Sequence, residues 1–145
     1  LEPTLKDEAF IKENVNALAY LAAAMIALDR PAEGTVLMER YLKVKPGDRV
    51  AISIISDGYR KTGNTKKADQ YAAKANQLNV AEAQRLAQSA SILVDNQRLQ
   101  MALELVKRSL KLDPKNQFAL AILRKLAETD ASAKQFLKEI SSSSP

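Results

Sequence analysis

The chain has no cysteine, no histidine and no tryptophan. Without cysteine there is neither a disulfide frame nor a thiolate site. That suits a reducing compartment, and equally a bacterial envelope protein free of cysteine. With histidine also missing, the commonest metal ligands and general bases are gone, so neither a metal nor a cofactor is expected. Glycine (four) and proline (five) are scarce, and Ala, Leu, Lys, Glu and Gln dominate, which favours helix over strand and coil. No apolar run approaches the roughly 18 residues of a membrane span; the most apolar stretch, Ala17 to Leu28, is short and half alanine. No GxGxxG, GxxxxGK[ST] or GxSxG pattern occurs, and paired carboxylates such as Asp7-Glu8 fall on expected surface, so an enzyme is not expected.

At 145 residues the chain is long enough to bury a core. The net charge of +5 comes from 22 basic and 17 acidic residues, interleaved with no long basic block. That pattern reads as a solvated surface rather than a nucleic-acid face, including the basic turn Arg60-Lys61…Lys66-Lys67. The polar, acidic start shows no secretory leader, and the closing Ser141–Pro145 reads as linker; an excised part of a longer protein is the expectation.

What the sequence does have is a period. Tyr59, Gly63, Ala68, Ala75 and Leu78 correspond, 34 residues on, to Leu93, Gln97, Ala102, Ser109 and Leu112. The same step back gives Met25, Asp29, Gly34, Tyr41 and Val44, and Pro46 and Pro114 stand 34 residues either side of Val80. A constant period without insertions is the mark of stacked helical units that bury their apolar stripes on one another. The fold class expected is all-α, an α-solenoid of antiparallel helix pairs.

Taken in order, residues 4–12 are expected to be helical, with Thr4 and Asp7 forming a capping box. They either end a preceding repeat at Asn14 or Asn16 or run on unbroken. Residues 15–48, 49–82 and 83–116 form three repeats. In each, a leading helix buries an i, i+3, i+4, i+7 stripe (Leu18, Leu21, Ala22, Met25; Ile52, Ile55, Ser56, Tyr59; Leu86, Ser89, Ala90, Leu93). Pro31 opens the first return helix, Gly63 supplies positive φ and Asn64 or Thr65 a cap, and Asn79 alone marks the turn between the second and third repeats. Ile52–Ser56 read alone is strand-like, but the register overrules that. Residues 117–141 hold a fourth leading helix, a turn at Ala131-Ser132-Ala133 and a short capping helix with Phe136, Leu137 and Ile140; 142–145 is linker. Gly34, Ala68 and Ala102 are small because paired helices approach closely there, and Tyr41 needs small neighbours such as Ser56.

The motif W-x2-L-G-x2-Y … A-x3-F … P of the tetratricopeptide repeat (TPR) is similar. Leu18, Ile52, Leu86 and Leu120 fill its Trp slot; Leu21-Ala22, Ile55-Ser56 and Ser89-Ala90 fill Leu-Gly. Tyr59 keeps the Tyr, Ala68 and Ala102 the Ala, and Pro46 and Pro114 the Pro. The resemblance covers residues 15–114. It implies a right-handed superhelix of about three units with flanking helices, and a concave wall of leading helices that binds a partner protein or peptide segment. By the 34-residue rule that wall carries rows through Asn16, Val50, Gln84 and Phe118; Ala19, Ser53, Ala87 and Ala121; Ala23, Asp57, Ser91 and Lys125; and Ile26, Arg60 and Val94. The second row is small throughout, a floor for a slender segment, with Arg60, Lys61, Asp57 and Asp95 as polar anchors; passive helix-forming alanines are the plainer reading. Co-chaperones of this family grip a carboxylate with cations, but the matching positions Ala19, Ala23, Ile54, Gln84 and Gln88 are all uncharged. Tyr20 borders the wall, or packs on the N-terminal helix through Phe10 or Ile11. The expected role is a non-catalytic scaffold for protein–protein interaction. A secretion or envelope-assembly chaperone, and a homo-oligomer joined through Phe10, Phe136 and Ile140, are the alternatives.

Overall fold

A computed structural model describes residues 8–143, the side chains of Glu8 and Ile11 aside, and every regular element among them is an α-helix. The helices are α1 (Glu8–Glu13), α2 (Val15–Ala27), α3 (Pro31–Val44), α4 (Arg49–Lys61), α5 (Thr65–Asp95), α6 (Leu99–Leu112), α7 (Gln117–Ala127) and α8 (Ala131–Ser142). They form two compact units, Leu1–Leu78 and Asn79–Pro145, and the boundary falls within α5. The capping box expected at Thr4 and Asp7 lies outside the described residues.

In the first unit α2 packs on α3 and on α4, and α3 on α4. The core comprises Leu18, Ala22 and Ile26 of α2, Leu37, Met38, Tyr41 and Leu42 of α3, and Ala51, Ile52, Ile55 and Tyr59 of α4. Ala68 and Ala75 of α5 complete it. Ile52 and Ile55 are fully buried on one helical face, so the strand-like run is helix. The α1–α2 break is a single residue, Asn14; backbone bonds from Asn14 to Phe10 and from Leu18 to Asn14 carry the helical pattern across it. Close approach governs Gly34: a Cβ there would lie 2.7 Å from the Ala22 carbonyl oxygen and 2.9 Å from the Ile26 nitrogen, both backbone atoms of α2.

Pro31 stands in the first turn of α3. Gly63 has φ +81°, and the Asn64 side chain caps α5 at the Lys67 N–H (3.2 Å). The Ser56 hydroxyl donates to the Ala68 carbonyl (2.7 Å), and the Tyr41 hydroxyl donates to Asp48. Beside them the Tyr59 hydroxyl donates to Glu39, the Tyr59 and Tyr71 rings stack at 5.7 Å, and the Lys67 ammonium sits 4.8 Å above the Tyr59 ring. Burial first, and then the bond to Glu39, push the Tyr59 hydroxyl above its ordinary pKa.

The expected turn at Asn79 is absent, because α5 is one helix of 31 residues. The reason lies in three equivalent positions. Pro46 is followed by Asp48, and Pro114 by Asn116, and each of those polar residues caps the next helix (Ala51 N–H to Asp48, 3.0 Å; Ala119 N–H to Asn116, 2.9 Å). In the middle copy the pair is Val80 and Glu82. Valine keeps its N–H and glutamate is a good helix former but a poor N-cap, so nothing stops the helix.

In the second unit α6 packs on α7 and α7 on α8. The core holds Ala87 and Ala90 of α5, Ala102, Leu103, Val106 and Leu110 of α6, Ala119, Ile122, Leu123 and Leu126 of α7, and Ala133 of α8. Leu93, Phe136, Leu137 and Ile140 pack partly buried against it, and the Lys107 ammonium lies over the Phe136 ring at 5.5 Å. Ser109 is buried and donates to the Ala83 carbonyl (2.7 Å). Gln97 adopts φ 59°, doing without glycine what Gly63 does one period earlier.

Two boundaries near the C-terminus differ from expectation. Ala131-Ser132-Ala133 is not the turn but the start of α8, because Asp130 caps it at the Ala133 N–H (2.7 Å). Ser141 and Ser142 are helical rather than linker; the hydroxyls of Ser141, Ser142 and Ser143 fold back onto the carbonyls of Leu137 and Glu139 in the last turns of α8. Ser144 and Pro145 lie outside the described residues.

Candidate functional site

Alanines at i, i+4 and i+8 give one side of α2 a low profile: Ala19, Ala23 and Ala27. Opposite them α4 sets Val50, Ile54, Asp57 and Lys61. The space between is a trough with two bays sharing Ala23 and Ile54. One bay, of about 510 Å³, is lined by Ala23, Ile26, Ala27 and Ile54, with Asp57, Arg60 and Lys61 at its rim. The other, of about 360 Å³, is lined by Asn16, Ala19, Tyr20, Ala23 and Val50, with Met38, Ala51 and Ile54 beneath and Tyr41 and Asp48 at its end.

Each end of the trough is anchored by a charge serving a helix terminus. The Lys61 ammonium donates to the Ile26 carbonyl (2.8 Å), supplying a cation to the negative C-terminal end of α2. Arg60 pairs loosely with Asp57 (3.9 Å) and Asp69 (3.6 Å), all three well exposed. At the other end Asp48 uses one carboxylate oxygen to cap α4 and the other to accept from Tyr41 (2.5 Å). That bond, then burial, pushes the Tyr41 hydroxyl up to about 12. Burial pushes the Asp48 carboxyl up, but the bonds from Tyr41, Ala51 and Val50 and the charge of Lys45 outweigh it, so the group sits below its ordinary value.

This arrangement has a pH signature. The folded carboxyl ionises more readily than the unfolded one, so its carboxylate stabilises the fold above the unfolded value of about 3.9. That stabilisation disappears as pH falls through the lower folded value. Asp48→Ala is expected to cost about 1–2 kcal/mol at neutral pH through the lost cap and tyrosine bond, and clearly less near pH 2.5. Urea unfolding of both proteins at the two pH values measures the difference.

Of the residues expected to bind, the first unit gathers Asn16, Ala19, Ala23, Val50, Asp57 and Arg60 around this trough. Ser53 is exposed on α4 and lines neither bay. Tyr20 is 78 % exposed and borders the trough. In the second unit Gln84 is exposed and accepts from the Asn116 side chain (3.2 Å), and Ser91 and Val94 are half-buried, Val94 against the core. Ala87 is not a floor residue there: it is 0 % exposed and belongs to the core. Sequence reasoning passed over Ile54, Ala27 and Tyr41 as trough residues, although Ile54 and Ala27 follow Val50 and Ala23 at i+4.

Among the described residues no three His, Cys, Asp or Glu side chains converge as metal ligands, and no helix is long and apolar enough to cross a membrane. The chain matches no protein-family model and no curated protein sequence.

Proposed function

We propose that this chain is a non-catalytic binding module of tetratricopeptide type, an α-solenoid of helix pairs whose α2–α4 trough receives a segment of a partner protein. The observation that carries the reading is the trough itself: small alanines on one wall, Val50 and Ile54 on the other, and charges only at its two ends. An apolar channel of this width suits an extended strand or slender helix held by shape and apolar contact, with the polar ends setting orientation.

Ala23 lines both bays, so a bulky side chain there blocks the whole trough. Selection of binders from a displayed peptide library on the unaltered chain, followed by titration against Ala23→Trp, tests the idea. At least a tenfold loss of affinity, with an unchanged circular dichroism spectrum, is expected. Equal binding by a folded Ala23→Trp protein removes the trough from consideration.

A further inference from the structure

The two bays of the trough differ in charge. Among the described residues that line the smaller bay, of about 360 Å³, only Asp48 is charged. Its carboxyl sits below its ordinary value, so it is ionised at neutral pH. Of the roughly four acceptor sites of a carboxylate, Tyr41, Ala51 and Val50 occupy three. All of these donors are neutral. No described lysine or arginine forms an ion pair with Asp48. Lys45 is exposed, and only its field reaches the carboxylate. Tyr41 is 4 % exposed and has committed its proton to Asp48, so its oxygen can only accept a further bond. Asp48 and Tyr41 together offer the bay acceptors and no donor.

We propose that this bay receives a lysine side chain of the bound partner segment, its stem along Ala19, Val50 and Ile54 and its ammonium at Asp48 and Tyr41. The proposal rests on the trough as the binding site and adds what one position of the partner must be. A lysine stem lies comfortably on apolar surface while its head seeks a polar end. An apolar side chain in the same place takes water from Asp48 and returns no bond. A carboxylate meets a like charge and finds no proton at Tyr41.

Lysine also fits better than arginine. The planar guanidinium fork wants two open acceptor sites side by side on a carboxylate, and Asp48 has one left. An ammonium needs only that one, and its other donors turn freely towards the Tyr41 oxygen. Two positive fields temper the attraction: the N-terminal end of α4, which Asp48 caps, and Lys45. The ammonium is therefore expected to contribute about tenfold in affinity.

Displayed peptides selected on the unaltered 145-residue chain are expected to share a lysine at one position. In a synthetic copy of the tightest, norleucine in place of that lysine keeps the stem and drops the ammonium. It is expected to bind about tenfold more weakly, with arginine also weaker than lysine. Added salt is expected to weaken the lysine peptide and leave the norleucine peptide unchanged. Asp48→Asn retains a capping oxygen for α4 and an acceptor for Tyr41 but no charge. On that variant, with an unchanged circular dichroism spectrum, the lysine and norleucine peptides are expected to bind within about twofold of each other. The norleucine and salt comparisons on the unaltered chain stand without the variant. Selected peptides that lose binding to Ala23→Trp yet carry no shared lysine overturn the lysine assignment and leave the trough reading standing. Lysine peptides that bind the unaltered chain no better than their norleucine copies do the same. Peptides indifferent to Ala23→Trp overturn both.

Discussion

Gly34→Ala loses about 1–3 kcal/mol of unfolding free energy in urea. The added methyl meets the Ala22 carbonyl oxygen at 2.7 Å, the Ile26 nitrogen at 2.9 Å and the Ile26 Cγ1 at 2.8 Å. Two of these are backbone atoms of a packed helix and cannot rotate away, so α3 must move off α2 and loosen the contacts of Leu37 and Met38. Alanine recovers about 1 kcal/mol of helix propensity relative to glycine, and overpacking of this kind outweighs it. Gly34→Leu is expected to lose more. Gly58→Ala provides the comparison: its nearest obstacle, at 2.5 Å, is the Thr35 hydroxyl, a side-chain atom that can turn aside by giving up its bond to the Pro31 carbonyl. At Gly47 nothing lies within 4 Å, so Gly47→Ala is close to neutral. Equal stability of the Gly34→Ala and Gly47→Ala proteins contradicts the account of how α2 and α3 meet.

Val80→Pro is expected to cost about 3 kcal/mol or more. Position 80 lies in the interior of a helix of 31 residues, where proline removes the bond to the carbonyl four residues back and its ring strikes that carbonyl. Proline occupies the equivalent places 46 and 114 without harm because those places fall between helices. Adding Glu82→Asp to Val80→Pro is expected to regain about 1 kcal/mol, since aspartate caps the helix segment that then begins there. Denaturation of the single and double variants decides the matter. If Val80→Pro is as stable as the starting protein, or if Glu82→Asp worsens it, the explanation for the uninterrupted helix fails.

Helix positions were legible in this sequence wherever a boundary is written in local chemistry. Pro31, Pro46-Gly47, Gly63-Asn64 and Asp113-Pro114 each remove a donor, fix φ or supply a cap, and helices begin or end at all of them. Gln97 shows that the register carries information of its own: nothing in glutamine announces a left-handed turn, yet the period puts one there. The same register misled at Asn79, because a periodic pattern implies a turn even where the residues that make it have been replaced. It misled again at Ala131–Ala133, where Asp130 captures the first turn of α8 early.

The trough was half legible. Period alone picked out Asn16, Ala19, Ala23, Val50, Asp57 and Arg60, because equivalent positions on neighbouring leading helices face the same way. It failed at Ser53, which lines neither bay, and at Ala87, which lies in the second unit's core. Small size identified that alanine as a candidate without revealing whether a neighbour covers it, and here the core does.

The reach of Lys61 to the Ile26 carbonyl bears on where the chain can be shortened. A fragment ending at Val44 retains both helices of the first repeat yet leaves the final carbonyls of α2 without their cation. Its uncharged leading helix has no lysine or arginine of its own to substitute. A fragment ending at Lys61 is therefore expected to hold the last turn of α2 better than one ending at Val44, so the first 34-residue copy borrows part of a helix end from the second.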